Sequence, residues 1–254
     1  MSENRAEARI SLANIEHNYR LLCRKAGEKR IVMAVVKADA YGHGAVEVCR
    51  RLSDAGATHF AVACMEEAAL LRRSGIRGEL LVLGITPQEL YPAIAEYDVV
   101  QTVSSLAYAS QLADCGPVRV HIKIDTGMHR LGFQPEDVPA ICERLRAQSG
   151  VIARSVFSHL AGSDSYVFDD FTHQQLDKFT KAAGELENGL EYKVIKHILN
   201  SAGIERFAAY QMDMVRLGIG LYGVSASGQK GLRNVSTLKL SLIHISEPTR
   251  HLRI

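Results

Sequence analysis

Eight short runs of continuously apolar, often β-branched residues recur along the chain, and stretches with helical spacing separate them. The runs are Ile31 to Val36, Phe60 to Ala63, Leu80 to Leu83, Val99 to Val103, Val118 to Ile124, Ser155 to Ser158, Val194 to Leu199 and Met214 to Ile219. A strand covered on one face alternates polar and apolar residues. A run without alternation is what a strand buried on both faces requires. Ala45 to Leu52, Glu66 to Arg73 and Phe171 to Leu186 read as amphipathic helices. Leu12, Ile15, Tyr19 and Leu22 form one stripe of an N-terminal helix, with Ser11 placed to cap it. Eight such units in 254 residues predict a (β/α)8 TIM barrel. A doubly wound open sheet is the alternative, because periodicity does not report closure.

The balance of charge is close to neutral, at +2, which gives no electrostatic reason to expect nucleic acid or an anionic membrane as a partner. The cysteines at 23, 49, 64, 115 and 142 are widely spaced and odd in number. That spacing argues against a disulfide framework or a zinc site, and for a reducing cytoplasm. No metal is expected. The first residues lack the apolar core of a secretion signal, and no apolar run reaches membrane-spanning length.

In either fold the chemistry lies where strands end, so the polar residues closing each run are the candidates. The first run closes on Lys37, followed by Tyr41, Gly42 and Gly44. Burial lowers the pKa of a lysine, as a Schiff-base or proton-transfer lysine requires; the bland reading is an ammonium that snorkels out at the barrel mouth. Two glycines permit close backbone approach, and a tyrosine four residues on can reach a phosphate. The fifth run carries Lys123 and Asp125, two apart and so on one strand face, with Arg130 in the loop that follows. A guanidinium suits a substrate carboxylate, although an Arg130–Asp125 ion pair would use the same residues structurally. His159 closes the sixth run, where a lone histidine is most often a satisfied core residue. Asn200 and Ser201 close the seventh, and they suit a plain helix start as well as an anion site. Gly218 and Gly220 flank Ile219 at the end of the eighth run, leaving backbone N–H groups for a phosphate. Arg216 lies inside that run, with a structural salt bridge as its plain reading.

The stretch Val35-Val36-Lys37-Ala38-Asp39-Ala40-Tyr41-Gly42-His43-Gly44 resembles the cofactor-lysine signature of the alanine racemases. The resemblance runs from about Ile10 to about Leu238. It implies a barrel that carries pyridoxal 5′-phosphate, joined to a C-terminal β-domain and acting as a homodimer on alanine to supply D-alanine for peptidoglycan. Lys37 would then hold the cofactor as a Schiff base and Tyr41 would bond its phosphate, together with Ser201 and the Gly218–Ile219 segment. Asn200 falls in the same cofactor-binding set. Arg130 would meet the substrate carboxylate, and Lys123 corresponds to a lysine often carbamylated. His159 would lie against the cofactor ring, and Arg216 would face its pyridine nitrogen. Arginine does not give up its proton, so that nitrogen would stay neutral and act as a weaker electron sink. Such a sink suits α-proton exchange over transamination.

The resemblance stops near Leu238, which sets a barrel over 1–238, with its N-terminal strand and helix, apart from a tail over 239–254. That tail does not look like the family's continuation and reads as a non-native or disordered end. The family's β-domain, which supplies a catalytic tyrosine to the partner subunit, is missing, so weak activity of this chain is expected. Two other functions use the same motifs: a serine or broad-specificity racemase, and a single-domain pyridoxal-phosphate-binding homeostasis protein. The Lys37 motif favours a racemase over the latter.

Overall fold

In the computed structural model, which describes residues 6–240, ten strands are present: β1 (Ala6–Ile10), β2 (Ile31–Val35), β3 (His59–Val62), β4 (Glu79–Val82), β5 (Val100–Val103), β6 (Val118–Lys123), β7 (Val151–Phe157), β8 (Ile195–His197), β9 (Met214–Leu217) and β10 (Ser236–Leu240). Strands β2 to β9 make one parallel sheet in the order β8-β7-β6-β5-β4-β3-β2-β9. The sheet curls until its edges meet. The Arg216 N–H donates to the Leu199 carbonyl at 3.0 Å, and the Asp213 N–H to the Lys196 carbonyl at 3.2 Å. Those bonds bring β9 against the β8 segment, so the architecture is the expected barrel rather than the open sheet.

The lack of alternation in the runs has its cause in this closure. Met33, Val35, Ala61, Leu81, Val100 and Met214 point inward and fill the lumen. Their neighbours, among them Val32, Ala34, Phe60, Val62, Leu80 and Val82, face outward and pack under the helices. Both faces are therefore dry, and both demand apolar residues. The helix Leu12–Ala26 starts where expected: Ser11 Oγ accepts the Asn14 N–H at 3.3 Å, and Ile15, Tyr19 and Leu22 are buried. Helices also cover Ala45–Asp54, Met65–Arg73 and Asp169–Leu190.

Two strands depart from the runs. Strand β7 begins at Val151, four residues before the apolar run, because Ile152 and Arg154 there face solvent and break the pattern. Strand β8 is only three residues long; Ile198 and Leu199 are buried beyond it without being part of it. Outside the barrel, β1 pairs antiparallel with β10, register Ala6↔Leu240 to Ile10↔Ser236. Lys239 and Leu240 thus lie in a strand, while 241–254 lies outside the described residues. Among the described residues no helix is long and apolar enough to cross a membrane, and no group of three or more His, Cys, Asp or Glu is placed to hold a metal ion.

Candidate active site

A cavity of about 950 Å³ opens at the C-terminal ends of the barrel strands. Lys37, Tyr41, Lys123, Arg130, His159, Asn200, Ser201, Arg216, Gly218 and Ile219 all line it. Residues that are 182 positions apart in the chain therefore share one wall, because parallel strands deliver every C-terminal end to the same face.

Lys37 begins an unusual turn. Ala38, Asp39, Ala40 and Tyr41 all have φ between 51° and 56°, four successive residues wound left-handed. Each costs roughly 1–2 kcal/mol for an L-residue, so the surroundings must hold the turn. The Glu67 carboxylate does so at the start. It accepts the Ala38 N–H at 2.7 Å and the Ala63 N–H at 2.8 Å, tying the turn to the end of β3. Asp39 closes it, with Oδ1 accepting the Ala45 N–H at 2.7 Å and its carbonyl accepting the N–H groups of His43 and Gly44. Gly42 and Gly44 serve this turn with φ of 82° and 87°. A β-carbon on Gly42 would meet nothing within 4 Å, so its role is conformational and not close approach. Lys37 itself is half-buried, not buried as a strand residue would be, and its amine has no protein partner among the described residues. The Tyr41 hydroxyl lies beside Gly218, 3.1 Å from where a β-carbon there would stand.

Lys123 and Asp125 do not share a face. Strand pairing of β6 ends at Lys123, so the two-residue alternation no longer applies beyond it. Lys123 is buried in the main cavity wall with its amine 5.2 Å from the Phe157 ring centre. Burial, reinforced by the charges of Arg216 and Arg130, lowers its ammonium to about 8. Asp125 lines a separate hollow of about 260 Å³. It accepts the N–H groups of Gly127 at 2.9 Å and His129 at 3.1 Å, shaping the loop that carries Arg130. Burial alone would raise that carboxyl, but the two N–H donors and the His129 and Lys123 charges hold it below its usual range. Asp125 makes its ion-pair contact with His129, at 3.6 Å, and no Arg130–Asp125 pair is present among the described residues.

Arg216 also lacks a carboxylate partner among the described residues, which removes the salt-bridge reading. It is 3% exposed and sits in a cage of acceptors. Nη1 donates to His197 Nδ1 at 2.6 Å and to the His197 carbonyl at 3.3 Å. Nη2 donates to the carbonyls of Ser158 at 2.6 Å and Ile198 at 3.1 Å, and approaches His159 Nδ1 at 3.3 Å. That leaves Nε–H without a protein acceptor on a residue that lines the cavity. Enclosure lowers His159 well below the ordinary histidine range, with the Arg216 charge adding to it, so the ring is neutral.

The seventh and eighth runs behave differently from expectation at one point. Ser201 Oγ accepts the Gly218 N–H at 3.0 Å and the Gly220 N–H at 3.1 Å. Those two amides are therefore not open to a phosphate as expected. A buried N–H must find an acceptor, and a serine hydroxyl stands within reach. The groups left toward the cavity are the Ser201 hydroxyl hydrogen, the Tyr41 hydroxyl and the Ile219 amide. Asn200 is a helix cap, its Oδ1 accepting the Gly203 N–H and the Ser163 hydroxyl, each at 2.9 Å.

Sequence reasoning passed over His197, His121, Glu79 and Glu67. His197 is fully buried and stacked on Phe157, ring centres 4.9 Å apart and planes 3° from parallel. For His121 and His197 the signal was an isolated polar residue inside an apolar strand run; Glu67, in the helix Met65–Arg73, and Glu79, just ahead of its run, gave none.

Residues 10–226 match the family model described as "Alanine racemase, N-terminal domain". Among curated relatives, alanine racemase 1 of Clostridium acetobutylicum is 37% identical, covering 94% of this chain and 64% of that protein. The alanine racemase of Xanthomonas axonopodis pv. citri is 38% identical, covering 95% and 66%. Among solved structures, the Clostridium difficile 630 alanine racemase in complex with cycloserine superposes with a TM-score of 0.86 at 32% identity, covering 94% of this chain and 69% of that one. The Bacillus anthracis alanine racemase with bound L-Ala-P gives 0.86 at 28% identity, covering 94% and 64%. The chain thus spans roughly two thirds of the length of the relatives it matches.

Proposed function

The chain belongs to the alanine racemase N-terminal domain family, and from that premise we propose that it is the barrel of a racemase that exchanges the α-proton of alanine with pyridoxal 5′-phosphate as its cofactor. The observation that carries this reading is the set of unpartnered donors in one cavity wall: the Lys37 amine, Arg216 Nε–H and the Ser201 hydroxyl hydrogen. That set suits a ligand with a carbonyl carbon, a ring nitrogen and a phosphate. When bound, pyridoxal phosphate supplies the electron sink that acidifies an amino acid's α-hydrogen.

Lys37 would hold the cofactor and carry the α-proton on the face met in D-alanine. Arg216 would donate Nε–H to the ring nitrogen and, since it keeps its own proton, leave that nitrogen neutral. His159 would lie against the ring as a neutral imidazole. Tyr41, Ser201 and the Ile219 amide would bind the phosphate. Arg130 would hold the substrate carboxylate, and a carbamate on Lys123 would add an anion beside it. The lowered Lys123 supports that modification, because a neutral amine is the form that attacks carbon dioxide. By the family resemblance, the base for the opposite face is a tyrosine of a partner subunit, so the working enzyme is a homodimer, placed in the cytoplasm.

Borohydride reduction of residues 1–254 loaded with pyridoxal phosphate, followed by peptide mapping, tests the assignment. The label is expected on Lys37. Lys37→Ala is expected to lose the associated absorbance band while keeping its fold. A label on Lys123 or another lysine overturns the reading.

A further inference from the structure

A buried guanidinium is costly without a counter-charge. Arg216 has none in contact, yet a line of polar side chains leads away from it through the barrel interior. Arg216 Nη1 meets His197 Nδ1 at 2.6 Å, and His197 Nε2 meets His121 Nδ1 at 3.3 Å, with Ser155 Oγ beside it at 3.1 Å. His121 Nε2 in turn lies 3.5 Å from Glu79 Oε1. Both atoms of that last pair are buried and neither has a hydrogen-bond partner among the described residues, so each is the nearest group able to satisfy the other. Glu79 opens β4 at the end of the barrel opposite the cavity, with His59 Nε2 3.8 Å away on β3.

The two ends determine the polarity of everything between them. Arginine can only donate, so His197 Nδ1 must be the acceptor and Nε2 must carry the ring proton. A carboxylate can only accept, so His121 must also carry its proton on Nε2 and offer Nδ1 to His197. With the His121 proton on Nδ1 instead, two N–H groups would face each other at 3.3 Å, and a lone pair would face the carboxylate. Only one arrangement satisfies every member. We propose that Glu79 is a positioning residue for Arg216, acting as the remote negative end of a chain of buried polar side chains that runs through His121 and His197. Burial keeps both imidazoles neutral; the chain fixes them in one tautomer, and holds Nη1 in place so that Nε–H remains for the cavity. The part of this that concerns the cofactor rests on the function proposed above. The part that concerns the tautomers does not.

The experiment uses the full chain, with histidine nitrogens labelled, and reads the tautomers by NMR before any cofactor is added. Protons on Nε2 of both His121 and His197 are expected; a proton on Nδ1 of either one overturns the proposal. Glu79→Gln keeps a carbonyl acceptor but removes the charge, so the tautomers should hold. Glu79→Leu removes the acceptor, so His121 should lose its single tautomer. Pyridoxal phosphate titrated by absorbance should then bind about tenfold more weakly to Glu79→Leu, the scale of one charge-assisted hydrogen bond, with Glu79→Gln between it and the parent. Should the leucine variant fail to fold, the glutamine variant decides. Binding unchanged in the folded variants overturns the proposal. A parent chain that binds no pyridoxal phosphate overturns the proposed function, and the tautomers still decide the chain.

Discussion

The Nδ1 of His197 accepts a hydrogen bond from Arg216 at 2.6 Å, so the residue that faces the cavity is held from behind by an imidazole. Burial keeps that imidazole neutral, with the Arg216 charge adding to the effect. The guanidinium is lowered to about 9 by its enclosure, and it reaches three backbone carbonyls in a planar fork.

Arg216→Lys therefore cannot be conservative. One ammonium cannot reach His197, Ser158 and Ile198 together, and at least one buried acceptor is left unpaired. We expect a loss of about 2–4 kcal/mol in thermal unfolding experiments, together with a changed absorbance spectrum for added pyridoxal phosphate. An unchanged melting temperature would mean that the cage contributes little.

Lys123 ties stability to pH. Its folded value of about 8 lies below its ordinary 10.5, so between those values the unfolded chain holds a proton that the folded chain has released. Stability should therefore rise as pH increases from about 8 to about 10.5, by about 3 kcal/mol from this group. Lys123→Met should be more stable than the parent at pH 7 and should lack that rise. Urea melts in carbon-dioxide-depleted buffer at several pH values would measure both. A parent curve that falls over this interval contradicts the assignment.

Glu67→Ala leaves the Ala38 and Ala63 N–H groups without their acceptor. A loss of about 2 kcal/mol is expected, with faster hydrogen exchange concentrated over residues 37–44. Glu67→Gln retains one acceptor oxygen and should fall between the alanine variant and the parent. Exchange that is unchanged in the alanine variant would show that Asp39 holds the turn alone.

His129 is an L-residue at φ 53°, with an exposed side chain whose contact with Asp125 is 3.6 Å long. A contact this long, made by an exposed ring, contributes little, whereas the left-handed backbone is strained. His129→Gly should stabilise the chain by about 1 kcal/mol, read from the denaturant midpoint. A destabilised variant would show that the ring contact outweighs the strain.

The unbroken apolar runs made the barrel legible, since only strands dry on both faces need them. The candidate site was legible through residues that close those runs, among them Lys37, Lys123, His159, Asn200, Ser201 and Gly218, which line the cavity, whereas Asp125 and Gly220 do not. Other features followed rules that such reading does not consult. His121 and His197 lie inside runs whose apolar character hid them, and Glu79 sits at the end of a strand where function was not expected. Lys123 and Asp125 were placed on one face by a two-residue period that stops when β6 stops. The amides of Gly218 and Gly220 were read as free because Ser201, 17 and 19 residues away, was not known to reach them. The strand β10 is exposed along its whole length, so it carries no burial pattern to detect.

The turn from Ala38 to Tyr41 is wound in the mirror sense of an ordinary helix. Two of its four residues are alanines held in the backbone shape that their own D-enantiomer prefers. A chemically assembled chain with D-alanine at positions 38 and 40 should therefore fit this turn with less strain than the natural one. The cavity proposed to exchange the two hands of alanine is thus bordered by a backbone segment of inverted hand.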